Sequence, residues 1–355
     1  MAVVYRTKGG LYIRKHEGFG VLVYAPKTGL FYAVGDNQAD IDDIVSRNKT
    51  HLHWLPSRFA FANSTNYYIK QPIVINWLLS SQCNCKCVYC YATDVQDESL
   101  TKEQIENNAK KILAQHPLAV VLSGGEPFLH PDLIINAIQC LGGNTGLIID
   151  TNGTISIPEL LPLLAKNNVV VRVSLDSFLQ KRVDSLRPYK DKEKKDSIKA
   201  IVHNIALFRS YKIPVVIQTV ATPLNTPSLE DILVNLPKLD VQGWRIFMPI
   251  TPNNLEQQVE FKTLMIHGAK SLEEATKNIK GTLNQRIASI CGKSEIPIQI
   301  IDGGDSVRNS VLLMLPNGSF ATENIFSPGK IILEESDIEK KLNFAAHMER
   351  YLNKE

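Results

Sequence analysis

Four of the six cysteines in this chain fall within eight residues, Cys83-Asn84-Cys85-Lys86-Cys87-Val88-Tyr89-Cys90, while Cys140 and Cys291 stand alone. A disulfide scaffold spreads its cysteines along a short secreted chain, whereas a tight group in a long chain reads as metal binding. Zinc prefers four ligands in a closed site, usually given as two spaced pairs. No second Cys/His pair of that kind occurs here. Only Cys83, Cys87 and Cys90 have the spacing C-x3-C-x2-C; Cys85 falls outside it. Three thiolates on one loop can hold three irons of a [4Fe–4S] cubane and leave the fourth open. An open position separates a reactive cluster from a pure electron carrier. The alternatives are a zinc knuckle or a fully ligated cluster.

Further marked residues follow in order along the chain. Ser123-Gly124-Gly125-Glu126-Pro127 comes directly after an apolar run. Paired glycines let the backbone approach a ligand where a Cβ would collide, and Glu126 is an acceptor for an ammonium group. An ordinary strand-to-helix turn is the competing reading. Asp150-Thr151-Asn152-Gly153 allows either a ligand contact by Asn152 or a plain Asx turn. Val173-Ser174-Leu175-Asp176-Ser177 is followed by Arg187, with Arg182 as a competitor, and Phe247-Met248-Pro249 ends a later apolar run.

The elements that must hold these residues are legible from periodicity. Gly20–Tyr24 and Leu30–Val34 flank Ala25-Pro26-Lys27-Thr28-Gly29, a hairpin signal, and a short helix is expected near Gln38–Arg47. From Pro72 onward strands and helices alternate. Strands are expected at Ile73–Leu79, Ala119–Leu122, Gly146–Ile149, Val169–Ser174, Val215–Val220 and Trp244–Phe247. Helices are expected at Lys102–Ala114, Pro131–Cys140, Ile157–Lys166 and Lys195–Tyr211. Such alternation implies a parallel sheet with right-handed crossovers. Because the marked residues sit just after successive strands, the α/β fold expected is a partial (β/α)6 TIM-like barrel. A small β-rich N-terminal domain (1–70) precedes the core (71–250), and an α+β extension (251–355) follows it. That extension is read as a helix near Asn254–Ile279, strands at Ile298–Ile301 and Val311–Leu315, and a turn at Pro316-Asn317-Gly318-Ser319.

The bulk numbers exclude little. A net charge of +3 on 355 residues demands neither nucleic acid nor an anionic membrane. No apolar stretch approaches a membrane span, and Met1-Ala2-Val3-Val4-Tyr5-Arg6 lacks the form of a signal peptide. A cytoplasmic protein without nucleic-acid or membrane partners is the expectation.

With Cys83, Cys87, Cys90 and the aromatic Tyr89 before the last cysteine, followed by the later segments in order, the stretch from about Ile73 to Pro249 resembles the radical S-adenosylmethionine (SAM) superfamily. The resemblance implies one [4Fe–4S] cluster on the three cysteines and SAM as second cofactor. It implies that Gly124, Gly125 and Glu126 hold the SAM amino group, that Ser174 and Arg187 bind its ribose and carboxylate, and that the Tyr89 carbonyl meets the adenine. Asn152 belongs to the ribose region unless it serves only its Asx turn. Phe247-Met248-Pro249 corresponds to the stretch lining the adenine pocket in relatives, with plain core as the bland alternative. The implied chemistry is reductive cleavage of SAM to methionine and a 5′-deoxyadenosyl radical, which abstracts hydrogen from an unactivated C–H bond. An external donor such as flavodoxin or ferredoxin supplies the electron.

The substrate is less determined. The Gly20–Arg47 stretch resembles the leader-binding unit of peptide-maturing relatives, which offers a strand edge to a precursor peptide. Leu315-Pro316-Asn317-Gly318-Ser319 resembles the opening of a SPASM-type domain, but no cysteine follows Cys291, so auxiliary clusters are not expected. A single-cluster enzyme can still epimerise a residue if a thiol returns hydrogen to the carbon radical; Cys291 is the candidate donor, and Cys140 reads as core. The alternatives are an enzyme of the same class acting on a small metabolite, and a non-catalytic iron–sulfur or zinc protein.

Overall fold

A computed structural model describes residues 3–7, 9–16, 20–34, 71–90, 100–250, 255–266, 269–291, 296–301, 309–323 and 330–351. The helix expected near Gln38–Arg47 lies outside them.

The first four strands, β1 (Val4–Arg6), β2 (Tyr12–His16), β3 (Gly20–Ala25) and β4 (Leu30–Val34), form an antiparallel meander in sequence order. The expected hairpin is β3–β4. Its turn closes with the Gly29 N–H on the Ala25 carbonyl at 2.8 Å, and Gly29 takes φ +70°, which glycine tolerates best.

The six expected core strands are present side by side and parallel: β5 (Val74–Ser80), β6 (Ala119–Gly124), β7 (Gly146–Thr151), β8 (Val170–Ser174), β9 (Val215–Val220) and β10 (Gly243–Phe247). Runs such as Ala119-Val120-Val121-Leu122 are buried throughout, as parallel strands covered on both faces must be. The sheet is wider than the expected six, however. From the C-terminal part, β11 (Ile298–Ile301) adds parallel to β10, and β12 (Leu312–Met314) adds parallel to β5. Antiparallel β13 (Phe320–Glu323) and β14 (Lys330–Leu333) then extend that side. The result is one ten-stranded sheet in the order β11-β10-β9-β8-β7-β6-β5-β12-β13-β14. No pairing among the described residues joins β11 to β14, so the barrel stays open. Strands from both sides of the expected boundary at 250/251 share this sheet.

Helices α1 (Lys102–Ala114), α2 (Pro131–Leu141), α3 (Leu161–Lys166), α4 (Gln180–Leu186), α5 (Ser197–Ser210) and α6 (Leu229–Leu239) lie between the core strands. Thr101 and Gln104 form a reciprocal capping box that starts α1. In α5, Ile201, Ile205 and Phe208 repeat at helical spacing and are buried. The single helix expected at Asn254–Ile279 is two, α7 (Leu255–Met265) and α8 (Leu272–Cys291). Ser271 accounts for the restart: its hydroxyl accepts the Glu274 N–H at 3.1 Å.

The chain ends in α9 (Ile338–Lys341) and α10 (Phe344–Tyr351). Helix α10 bridges the start of β5 to β10 and β11. His347 Nε2 accepts the Ile73 N–H at 2.9 Å, at the start of β5. Asn76 on β5 donates to the Tyr351 hydroxyl, and Arg245 and Gln299 on β10 and β11 both donate to the Arg350 carbonyl at 3.2 Å. The N-terminal meander covers the strand starts. Arg14 donates to the carbonyls of Gln71, Pro72 and His116, which precede β5 and β6. Tyr24 stacks on Phe31, which in turn meets Tyr351. The C-terminal strand ends stay clear of this cover. The expected site residues lie there.

Candidate active site

The loop carrying the cysteines leaves β5 at Ser80 and is held to the barrel mouth by its own backbone. Lys86 donates to the Pro188 carbonyl at 2.8 Å, Val88 to Leu186 at 2.9 Å, and Lys190 to Asn84 at 2.9 Å. A short antiparallel rail thus runs between residues 84–88 and 186–190, with Cys85 opposite Tyr189. Helix α7 adds a contact from the other side, Gln257 Nε2 to the Cys87 carbonyl at 3.2 Å.

Gly124 and Gly125 serve a purpose nearer than the expected one. A Cβ on Gly125 would sit 2.0 Å from the Gln82 carbonyl oxygen, and one on Gly124 2.2 Å from that of Ser80. The glycines therefore allow the end of β6 to close on the base of the cysteine loop, where Gly125 N–H bonds Ser80 O and Glu126 N–H bonds Gln82 O, both at 2.7 Å. Glu126 is buried, and its carboxylate accepts from Phe128 N–H (3.1 Å), the Thr151 hydroxyl (2.7 Å) and Asn152 N–H (2.7 Å). Burial pushes its carboxyl up to about 7 against those three donors. It pins the end of β7 to the end of β6.

Asn152 makes the Asx turn: its Oδ1 accepts the Thr154 N–H at 2.9 Å. Its Nδ2 meets Asn84 Oδ1 at 2.7 Å and Cys83 Sγ at 3.8 Å. Asn84 closes the group by donating to Thr154 Oγ1 at 2.8 Å. Ser174 donates its hydroxyl to the Thr151 carbonyl at 3.2 Å. Arg187 is buried, with Nη1 on the Ser174 carbonyl (2.6 Å), Nη2 on the Asn152 carbonyl (2.8 Å), and Nε 3.9 Å from Asp176. The Tyr89 hydroxyl bonds the same carboxylate, Asp176 Oδ2. Arg182 turns away to Ser228. Met248 is core, and Phe247 lies under the Arg245 guanidinium, 5.1 Å from ring centroid to Cζ. Cys140, in the last turn of α2, packs half-buried against the core. Cys291 ends α8; its side chain is outside the described residues.

The donor set fits an iron–sulfur group. Cys83 Sγ accepts from the Cys85 N–H at 3.4 Å. A hydrogen bond from the Cys85 thiol, aided by the Cys85 and Asn152 N–H groups and the charge of Lys190, pulls the Cys83 thiol down to about 6 despite burial. Cys87 is the opposite case, raised by burial. Among the described residues no three His, Cys, Asp or Glu groups converge on one ion-sized point.

The residues that the motif reading passed over are Asn84, Thr154, Asp176 and the rail at 186–190. Asp176 carried a signal in the sequence: one carboxylate in Val173-Ser174-Leu175-Asp176-Ser177 must find a partner if that run is buried. The rail carried none, because its contacts are made by backbone groups that every residue possesses.

A family model described as the radical SAM superfamily matches residues 77–234. A putative glycyl-radical enzyme activating enzyme of Methanocaldococcus jannaschii is 30% identical over 242 residues, 66% of this chain and 95% of that protein. An S-adenosylmethionine-dependent nucleotide dehydratase of Selenomonas ruminantium is 31% identical over 183 residues, 48% of this chain and 64% of the dehydratase, so the chain spans less than two thirds of that relative. Among solved structures, Streptococcus suis SuiB bound to its precursor peptide SuiA superimposes with a TM-score of 0.54 at 11% identity, over 84% of this chain and 72% of SuiB. That likeness is one of fold. The chain belongs to the radical SAM superfamily. It is an enzyme whose cofactors are a [4Fe–4S] cluster and SAM.

Proposed function

We propose that Cys83, Cys87 and Cys90 hold the cluster, that SAM lies across Gly124–Glu126, Asn152, Ser174 and Arg187 beneath the Tyr89 carbonyl, and that the substrate is a ribosomally made peptide. The observation carrying this is the gathering of five separated segments, 83–90, 124–126, 151–154, 174–176 and 186–190, at one end of one sheet. When bound, the two cofactors supply a carbon radical that takes hydrogen from an unactivated C–H bond. The chain's own residues position and enclose. Glu126 and Asn152 lock the strand ends, and the rail keeps the cysteine loop over the barrel mouth. Arg187 still has N–H groups beyond its two carbonyl bonds to offer a carboxylate.

The peptide reading is supported by residues 1–70, taken as a recognition unit. Its edge strand β1 carries exposed Val3 and Tyr5 nearby, and a free strand edge can take up an extended peptide. The meander lies at the strand starts, while the cysteines lie past the strand ends. At ~3.3 Å per residue, a leader held there needs on the order of seven or more extended residues to reach the cluster.

The test is anaerobic reconstitution with iron and sulfide, then assay of 5′-deoxyadenosine from SAM and dithionite. Alanine at Cys83, Cys87 or Cys90 is expected to abolish it, and Cys85→Ser to leave it. Product formation by the alanine variants would sink the assignment. Candidate precursor peptides in deuterated solvent then report the outcome by mass: one deuterium gained means epimerisation, two hydrogens lost means a cross-link. Deuterium gain that survives Cys291→Ala would remove Cys291 as donor.

A second reading, a small anionic metabolite, draws on a different observation. Strand pairing sets Arg172 beside Asp150 and Arg245 beside Gln218 and Gln299, a buried pair of guanidiniums in the middle of the sheet. Arg172 is paired with Asp150 at 2.5 Å, whereas among the described residues Arg245 donates to the neutral Gln299 side chain and Arg350 carbonyl. Substrate-dependent product from a nucleotide panel, with no response to peptides, would favour it.

A further inference from the structure

We propose that Asp176 is a positioning residue for the cluster loop, acting through the Tyr89 hydroxyl, with Arg187 as its counter-charge. The inference rests on the reading that residues 83–90 carry the cluster.

Asp176 sits past the end of β8 and is 1% exposed. Both oxygens are occupied: Oδ1 accepts the Val220 N–H at the end of β9, at 2.9 Å, and Oδ2 accepts the Tyr89 hydroxyl. A buried carboxylate is costly without a partner, and Arg187 supplies the opposite charge at 3.9 Å. Arg187 is itself held by the Ser174 and Asn152 carbonyls, and Asn225 Nδ2 fixes the Asp176 carbonyl at 3.1 Å. The ends of β7, β8 and β9 are thereby tied to one side chain of the cysteine loop.

That side chain is Tyr89, immediately before Cys90. Consecutive Cα atoms are ~3.8 Å apart, so displacement of Tyr89 passes almost undiminished to Cys90 and to the carbonyl between them. Asn84 anchors the opposite end of the loop, beside Cys83, through Asn152 and Thr154. Backbone bonds of the rail hold the middle. The Tyr89 tether ends on a buried charged pair, whereas the other ion pair on this loop, Lys86 with Glu260 of α7 at 3.8 Å, is half exposed. A hydroxyl that merely filled space would not need a buried ion pair beneath it.

The experiment compares wild type, Tyr89→Phe, Asp176→Asn and Asp176→Glu, reconstituted anaerobically. Iron and sulfide content, the electron paramagnetic resonance spectrum of the reduced protein with and without SAM, and separate kcat and KM for SAM cleavage are measured. Tyr89→Phe removes one oxygen and leaves the ring packing, so it keeps the test open if the Asp176 variants do not fold. Expected is near-normal iron, a SAM-induced spectral change that is weakened or shifted, and a KM for SAM raised about tenfold, the scale of one lost hydrogen bond, with a smaller change in kcat. Asp176→Glu is expected to recover part of the effect. Wild-type spectra and KM in Tyr89→Phe would overturn the proposal and leave the cluster assignment standing. Wild type that loads no cluster would overturn both.

Discussion

Two residues, one outside the motifs and one within them, show how much hangs on single groups. His347 accepts the Ile73 N–H through Nε2 and lies 2.6 Å from the Ser310 carbonyl through Nδ1, which fixes a neutral ring protonated at Nδ1. Burial lowers its pKa to about 3. The unfolded ring titrates near 6.5, so in between only the unfolded state takes the proton. Stability is therefore intact above about 6.5 and falls as pH drops, by about 1.4 kcal/mol per unit, down to the folded value. The thermal midpoint of wild type is expected to fall between about pH 7.5 and 5.5, and that of His347→Gln to fall less; parallel profiles would refute this. Gly125 is a steric case. Gly125→Ala drives a Cβ into the Gln82 carbonyl, so the cysteine loop must move. Reduced iron loading with unchanged helical circular dichroism is the expected result.

At the scale of elements, the N-terminal meander is anchored by a buried guanidinium. Arg14 gives hydrogens to three carbonyls, and burial lowers its pKa to about 9. These carbonyls lie outside regular strand pairing, so no neighbour replaces the donor. Arg14→Met should destabilise the protein by about 2–3 kcal/mol, because partly buried carbonyls lose their donor. Urea unfolding monitors this, and a change below about 1 kcal/mol would mean that hydrophobic contacts of Tyr24 and Phe31 alone hold the meander. The cysteine loop is a second element, with little internal bonding beyond the Cys90 N–H on the Cys87 carbonyl at 3.2 Å and the Cys85 N–H on Cys83 Sγ. It has the rail, two side-chain anchors and Gln257 of α7, all borrowed from elsewhere.

For the molecule as a whole, the open sheet is the governing fact. A partial barrel leaves strands far apart in the sheet order without a shared neighbour, and helix α10 links two such places. Helix α10 touches β5 through His347 and Tyr351 and β10–β11 through the Arg350 carbonyl, where Arg245 and Gln299 cap it. Ending the chain after Asn343 should therefore unfold or open the core. The expected readout is loss of a cooperative thermal transition and of iron binding; a truncated protein that melts like the parent would show the helix to be dispensable.

The sequence by itself determined the chemistry and the central sheet. Cysteine spacing depends on three residues of one loop, and the strands β5 to β10 read clearly because each is a continuous apolar run bounded by turns. The restart of helix at Ser271 was written there too, as Ser271 with Glu274 three residues on. Tertiary structure alone decided that β11 and β12 join opposite edges of the same sheet, since strands of four and three residues carry no information about their partner. It also decided that Gly124 and Gly125 close on Ser80 and Gln82, and that Asp176 reaches Tyr89. Such contacts join residues far apart in the chain through backbone groups or single polar atoms, and pattern along a sequence records only what repeats locally.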